Sequence, residues 1–250
     1  MRARSKSQLP TTVDSAAGAL DNPGMAAKAL SYVIESSSRV QAPAIAGYVD
    51  RLRSHNPGAA PGEIITKLEK HYLAAVTASG AAVGAAAAFP GIGTLVALSA
   101  VAGETVVFLE AAAVLALAVA EVHGIPVGYR ERRRALVLAA LVGDEGKRAV
   151  AELLGNGRTN GAWMSDGATT LPMPALTQFN SRMLKFFVKR YTVRRSVLAF
   201  GTLLPMGIGA VIGAFGNRLM GKRIVANARK AFGAPPPRWP ATLHVLPSQT

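Results

Sequence analysis

The longest uncharged run in the chain covers residues 73–103, with the sequence LAAVTASGAAVGAAAAFPGIGTLVALSAVAG. Proline and glycine near its middle interrupt the helical pattern, because proline lacks an amide hydrogen and glycine is conformationally free. The run therefore predicts two helical arms, 73–89 and 94–120, joined as a hairpin. The residues of the predicted turn are Pro90, Gly91 and Gly93.

A second uncharged segment, TLLPMGIGAVIGAFGN at residues 202–217, uses the same turn chemistry. Its proline predicts a break into arms 196–204 and 206–217, which reach only about 14 and 18 Å at 1.5 Å per residue. Crossing a bilayer core of about 30 Å takes roughly 20 helical residues. We therefore expect a second hairpin whose arms do not each cross a bilayer. The residues that shape it are Pro205, Gly207, Gly209, Gly213 and Asn217.

Further helices are predicted on both sides of the two hairpins. One begins near Pro61, and the second arm of the first hairpin ends at Gly124, which suits a left-handed cap. The other predicted helices cover 131–142, 144–154, 175–195 and 217–232. The predicted fold class is all-α, a helical bundle with two apolar Pro/Gly-turn hairpins that associates with a membrane.

The distribution of flexible residues predicts one domain with two loose ends. A Ser/Thr/Ala-rich N-terminus at 1–22 is expected to be disordered, and a single helical domain follows at 23–232. A Gly/Asn/Ser/Pro loop near 155–174 is a candidate subdomain joint. The Pro-rich tail at 233–250 is expected to be flexible or to lie along the surface.

Composition narrows the class of protein. Hydrophobic residues make up 50 % of the chain but aromatics only 6 %, a balance that favours tightly packed helices over a β-sandwich. The absence of cysteine excludes disulfides and zinc-thiolate sites. The four histidines show no metal-ligand spacing, so no metal or cofactor is expected. The N-terminus lacks the apolar stretch of a secretory signal, which predicts a cytoplasmic location.

The net charge of +14 is confined to one half of the chain. Residues 1–121 hold nine basic and nine acidic side chains, whereas residues 122–250 hold nineteen basic and five acidic ones. After Asp166 there are twelve basic residues and no acidic one. Such a one-sided field predicts a polyanionic partner, either nucleic acid or an anionic lipid surface.

Lipid is the favoured partner because the basic clusters flank an apolar hairpin that has no use on nucleic acid. The stretch 179–195 carries a basic stripe beside an aromatic and apolar face, a pattern typical of a helix lying among headgroups. In the alternative reading, this helix faces a protein core and the hairpins form the interior of a soluble bundle. The residues expected to contact lipid headgroups or another polyanion are Arg182, Lys185, Lys189, Arg190, Arg194, Arg195, Arg218, Lys222 and Arg223.

Small residues at four-residue spacing predict close helix packing. Gly80 and Gly84 form one such pair, and Gly209 and Gly213 form another. Another backbone can approach such a strip closely. Asn217 continues the second strip, where its side chain is placed to hydrogen-bond across the contact or to close the helix entrance.

Glu104 and Glu110 are the candidate buried polar residues, because a carboxylate in an apolar helix is costly unless it is paired or functional. The functional reading is a proton or cation site; the alternative is pairing with a basic residue of a neighbouring helix. No nucleophile elbow, phosphate loop or catalytic acid pair is present, so no catalytic residue is assigned and an enzyme is not expected.

Residues 188–233 resemble the EcsC family of bacterial proteins. The matching pattern is a basic helix, a Pro/Gly-rich hairpin, an asparagine and a second basic helix. Its matching positions are Pro205, Gly207, Gly209, Ala210, Gly213 and Asn217. The first hairpin is similar to the family's N-terminal hairpin, and the likeness covers about residues 60–233. The chain departs from the family at His123-Gly124, where the family usually has Tyr-Gly.

The resemblance implies a helical protein associated with the cytoplasmic face of the bacterial inner membrane, whose molecular activity is not established. We expect it to dock on anionic lipid and to support a membrane complex, with a membrane transporter or another membrane protein as a further partner. The alternatives are a soluble bundle that binds a hydrophobic ligand or a protein, and an enzyme using Glu104 or Glu110.

Overall fold

The computed structural model describes residues 42–86, 94–144 and 208–240, together with seven positions between 174 and 184. Five helices lie in the three long ranges: α1 (Ala42–Ser54), α2 (Pro61–Ala86), α3 (Thr94–Val122), α4 (Arg130–Val142) and α5 (Ile208–Phe232). No strand occurs among these residues, so the predicted all-α class is confirmed for the part described. The predicted segments 1–22, 144–154 and 155–174 fall outside it, apart from Asp144 and Pro174.

Local sequence explains where several of these helices begin and end. Helix α2 begins at Pro61, where the missing amide hydrogen costs nothing, and Glu63 in its first turn complements the helix dipole. The loop after α3 contains Gly124 at φ 71°, as the cap prediction required, and its amide donates to the Glu121 carbonyl. Helix α5 ends before Gly233, which has φ 80° and donates to the Arg229 carbonyl.

Helix α5 corrects the sequence interpretation of this region. We expected a hairpin arm ending at Asn217 and a separate basic helix over 217–232, but one continuous helix covers 25 residues from Ile208 to Phe232. Asn217 does not act as a cap, because its side-chain amide donates to the Val76 carbonyl of α2. The apolar arm and the basic helix are therefore one rigid element.

Helices α2 and α5 run antiparallel and form the most extensive contact in the bundle. Three pairs fix the register along their length: Gly80 with Gly213, Val76 with Asn217, and Glu69 with Arg229. Helix α3 lies against both and runs parallel to α5, because Glu104 contacts Asn217 and His123 lies on Phe232. The C-terminus of α2 and the N-termini of α3 and α5 therefore lie at the same end of the bundle.

The core is built from aliphatic residues and alanine. Helix α3 is buried on nearly all sides from Leu115 to Ala120, and α4 buries the run Ala135–Leu141 against α3 and α5. Large fully buried side chains include Phe108, Ile64 and Phe232. The small residues allow the helices to approach closely, while these few large side chains fill the space between them.

Residues 233–240, the described part of the predicted flexible tail, lie along the surface. We call this segment the C-terminal strap. Trp239 donates its indole N–H to the Ala59 carbonyl at 3.1 Å, and the Arg53 guanidinium lies 4.0 Å from the ring centroid of Trp239. Pro240 covers Gly124 and Pro235 covers Gly62. The strap thus joins the end of α3 to the start of α2.

Candidate functional site

A buried polar cluster lies where α2, α3 and α5 meet. Glu104 is 7 % exposed and Asn217 is 4 % exposed. The Asn217 amide donates to the Val76 carbonyl at 3.0 Å and to Glu104 Oε1. Hydrogen bonds to a charged group contribute about 1.5–3 kcal/mol, so Asn217 offsets part of the cost of burying the Glu104 carboxylate.

The two helix backbones touch beside this cluster. A Cβ atom built on Gly80 would lie 2.8 Å from the carbonyl carbon of Gly213 and 2.7 Å from Asn217 Nδ2. Real Cβ contacts are essentially never this short, so only glycine fits at position 80. The absence of this side chain lets Asn217 reach across to Val76, and the glycine strip and the polar cluster therefore form one structure.

Beyond the cluster, the bundle carries no charged side chain in the described residues. We define this uncharged end as Val76–Ala86 of α2, Thr94–Gly103 of α3 and Ile208–Asn217 of α5. None of these three stretches contains Asp, Glu, Lys, Arg or His. At 1.5 Å per residue, each extends about 14 to 15 Å. Glu104 marks the border, because it follows directly after the uncharged part of α3.

The outer face of α5 changes from apolar to basic along its length. Val211, Phe215 and Leu219 are 70 %, 69 % and 45 % exposed, and their four-residue spacing places them in one stripe. Three exposed cations, Arg218, Lys222 and Arg223, lie on or beside the continuation of that face. On α2, the uncharged end exposes Ala78, Ala82 and Ala85 to solvent, and Ala74 and Ala75 are exposed just before it.

The structure describes only some of the residues singled out from the sequence. Arg218, Lys222 and Arg223 are exposed, as a contact with a polyanion requires. The remaining predicted headgroup contacts and turn residues lie outside the described part of the chain. They are Arg182, Lys185, Lys189, Arg190, Arg194, Arg195, Pro90, Gly91, Gly93, Pro205 and Gly207.

The sequence analysis named both Glu104 and Glu110 as candidate buried polar residues, and for Glu110 this prediction is wrong. Glu104 is buried, but Glu110 is exposed on the outer face of α3 with Gly103 and Val107. Six residues turn a helix through 600°, which leaves the two carboxylates 240° apart. They therefore do not form one site.

Glu69 and Arg229 form an ion pair that the sequence analysis missed. Arg229 Nε donates to Glu69 Oε1 at 2.7 Å and its Nη2 donates to Oε2, which makes the contact bidentate. The hydrogen bond to Glu69 and the charge of that carboxylate raise the pKa of Arg229. The signal was present, because Glu69 shares the buried stripe of Ile65, Tyr72 and Val76 at helical spacing.

One stretch of the described residues, Gly103–Val122 in α3, is long and apolar enough to cross a membrane, with a mean hydropathy of 2.1. Its most apolar window is 61 % buried within the protein, and the core helix of a soluble protein meets the same criterion. Among the described residues, no three His, Asp or Glu side chains are grouped to hold a metal ion.

Comparisons with known proteins add no relative. No protein-family model matches the chain, and neither the curated proteins nor the solved structures include a match.

Proposed function

We propose that this chain is an EcsC-type membrane-docking protein that inserts the uncharged end of its helical bundle into one leaflet of an anionic membrane. The face of α5 is the observation that carries the proposal. It exposes Val211, Phe215 and Leu219 to solvent, and from residue 218 onward it also exposes Arg218, Lys222 and Arg223. Apolar residues beside cations are what an acyl layer bordered by phosphate headgroups would bind.

The dimensions support insertion into a single leaflet. The hydrocarbon core of a bilayer is about 30 Å thick, so one leaflet provides about 15 Å. The uncharged end extends about 14 to 15 Å from the level of Asn217 to the ends of the helices. If the uncharged end fills one leaflet, Arg218, the first exposed cation of α5, would lie at the level of the headgroups.

The buried cluster gives the docking element its rigidity. An unpaired carboxylate in hydrocarbon is costly, and Asn217 holds Glu104 inside the bundle instead. The Gly80–Gly213 contact keeps α2 and α5 together without a side chain between them. This arrangement also disfavours an enzyme that uses both Glu104 and Glu110, because only the former faces the helix contact.

The setting we propose is the cytoplasmic face of a bacterial inner membrane, where the docked protein supports a membrane complex such as a transporter. An anionic surface attracts each nearby Lys or Arg by about 1 kcal/mol. With three such residues on α5, docking is expected to depend strongly on anionic lipid and on salt.

Liposome flotation of Phe215→Glu tests the apolar half of α5. The side chain is exposed, so the variant should fold normally in water, but a charge in the acyl layer should abolish flotation with vesicles of phosphatidylcholine and phosphatidylglycerol. Tyr129→Glu is the matched control, because Tyr129 is 64 % exposed at the start of α4, away from the uncharged end. Equal flotation of the two variants would refute insertion of this end.

Charge neutralisation tests the basic half. Arg218→Gln, Lys222→Gln and Arg223→Gln together should weaken binding to anionic vesicles and flatten its salt dependence. The control carries Arg51→Gln, Arg130→Gln and Arg238→Gln, which remove the same charge from exposed positions elsewhere. If both triple variants lose binding equally, only net charge matters and the face of α5 has no special role. If the wild type stays unbound at low salt, the soluble-bundle alternative is favoured.

A further inference from the structure

The contact between α2 and α5 determines which side chains lie along its edge. Gly221 packs directly against α2, because a Cβ atom built there would lie 3.0 Å from Leu73 Cδ2. Asn217, one turn earlier on α5, donates to the Val76 carbonyl. On α2, Glu69 reaches α5 through its ion pair. Glu69, Asn217 and Gly221 therefore lie on the line of contact between the two helices.

The residue that follows each of these three in the sequence is a cation, namely Lys70, Arg218 and Lys222. One residue turns a helix by 100°, so each cation is turned by that angle from the line of contact. Because α2 and α5 run antiparallel, this turn carries the side chain to the same side of the contact in both helices. All three are exposed, so they flank a solvent-facing groove between α2 and α5. We call them the groove cations.

The groove cations also lie at similar levels along the bundle. Lys70 is three residues from Leu73 on α2, and Arg218 is three residues from Gly221 on α5. At 1.5 Å per residue, these two cations lie about 4.5 Å to either side of the Leu73–Gly221 contact. Lys222 lies between their levels. Lys and Arg have long side chains, so all three are placed to bind one small group in the groove.

No carboxylate neutralises the groove cations in the part of the chain that the structure describes. None of them belongs to an ion pair there. Glu69, the acidic residue next to Lys70, has both carboxylate oxygens occupied by Arg229. Cations that lie close together repel one another, and an anion bound between them would offset that repulsion.

A phosphomonoester matches three cations better than a phosphodiester does. Above pH 7 a monoester carries close to two negative charges and has three oxygens that accept hydrogen bonds. A phosphodiester carries a single charge, spread over two such oxygens. Charge-assisted hydrogen bonds are the strong ones, so three separate donors gain most from the monoester.

The apolar face of α5 favours a lipid over a soluble phosphate as the source of this group. Val211 and Phe215 are exposed, and they lie seven residues before Arg218 and Lys222, respectively. Seven residues are close to two helical turns, so these apolar side chains continue the face of the groove cations into the uncharged end. A lipid whose phosphate binds in the groove would therefore have its acyl chains beside Val211 and Phe215.

We infer that the groove binds the phosphomonoester headgroup of an anionic lipid, with Lys70, Arg218 and Lys222 contacting the phosphate. This inference rests on the proposed function, because the lipid is reached only when the uncharged end is docked. It adds a residue of α2, Lys70, to the cations of α5, and it adds a preference among anionic lipids.

Flotation of the full chain with two kinds of vesicle tests the inference. Both contain phosphatidylcholine; the anionic lipid is phosphatidic acid, a monoester, in one and phosphatidylglycerol, a diester, in the other. Their amounts are adjusted to give equal zeta potentials at pH 8. The wild type should bind the phosphatidic acid vesicles about fivefold more tightly, the effect of one additional cation contact at an anionic surface.

Lys70→Gln should abolish this preference, and Lys70→Arg, which keeps the charge, should retain it. Both variants change an exposed side chain and should fold normally. Arg223→Gln is the matched control, because Arg223 is exposed at a similar level but is turned 100° further from the groove than Lys222. It should weaken binding to both kinds of vesicle equally and leave the preference unchanged.

Three results would overturn the inference and leave the proposed docking intact. One is equal binding of the wild type to the two kinds of vesicle. Another is a preference that Lys70→Gln retains, since the groove would then not be its source. The third is saturable binding of glycerol 3-phosphate in lipid-free buffer as tight as binding to phosphatidic acid vesicles, which would assign the groove to a soluble phosphate. If the wild type floats with neither kind of vesicle, the proposed function fails, and this inference fails with it.

Discussion

Replacing Gly80 with alanine tests whether the backbone contact between α2 and α5 organises the bundle. The added Cβ would lie 2.8 Å from the Gly213 carbonyl carbon and closer still to its oxygen, where an ordinary contact is 3.4–4 Å. The obstacle is backbone, which cannot rotate away, so the helices must separate by roughly 1 Å. Such a separation would also stretch the hydrogen bond from Asn217 to the Val76 carbonyl.

The expected size of the effect follows from three contributions. Overpacking a tight contact costs about 1–3 kcal/mol. Weakening the buried amide hydrogen bond costs about 1 kcal/mol. The better helix propensity of alanine returns about 1 kcal/mol. Gly80→Ala should therefore lower the free energy of unfolding by about 1–3 kcal/mol.

The assay is urea unfolding followed by far-ultraviolet circular dichroism, with Gly47→Ala as the matched control. Gly47 lies in α1, and a Cβ there would meet nothing within 4 Å. The control should gain about 0.5–1 kcal/mol from propensity alone. If Gly80→Ala is as stable as Gly47→Ala, the close contact does not hold these helices and the reasoning is wrong.

Three further predictions concern other charged and polar contacts. Asn217→Asp places a second carboxylate beside Glu104, so it should lower the melting temperature at pH 7. Because like charges hold a proton above the ordinary carboxyl range, this loss should shrink as the pH falls from 7 and should be gone below about pH 4; a pH-independent loss would contradict this. Burial, and then the charge of Asp50, raise the pKa of Glu121 above its ordinary 4.5. The stability that this group contributes is present below pH 4.5 and is lost as the pH rises through its folded pKa, so Glu121→Gln should melt higher than the wild type at pH 7 and equally at pH 3.5. Trp239→Ala removes a hydrogen bond and a cation–π contact, which should cost about 1–2 kcal/mol and speed amide exchange in the strap; unchanged exchange would mean that the strap is held elsewhere.

The sequence predicted best those structural features that depend on residues close together in one helix. The start of α2 at Pro61 and the cap at Gly124 follow from backbone chemistry that is local to those residues. The spacing of Gly213 and Asn217 indicated a close helix contact, and the structure places both against α2. The sequence did not show that Gly213 would contact Gly80 or that Asn217 would contact Glu104, because contacts between two helices depend on their relative register.

The continuity of α5 was not predictable from the same local rules. Asn217 is a common residue at helix ends, and the change from apolar to basic sequence at Arg218 suggested a boundary. The helix nevertheless continues through Asn217, because its side chain makes tertiary hydrogen bonds to α2 and α3 instead of capping a helix end. The Glu69–Arg229 pair was missed for a similar reason, since 160 residues separate its members.

The continuity of α5 also constrains how this protein can change. Each residue advances a helix by 100°, so the alignment of the exposed valine, phenylalanine and leucine with the later arginines and lysine is a matter of angular phase. Deleting or adding one residue near Asn217 would swing the basic half about a quarter turn away from the apolar half. Substitution at the surface is therefore tolerated far better than a change of length. Insertions of four or seven residues should disturb the alignment least, because they leave the two parts of the face within about 40° and 20° of their original phase.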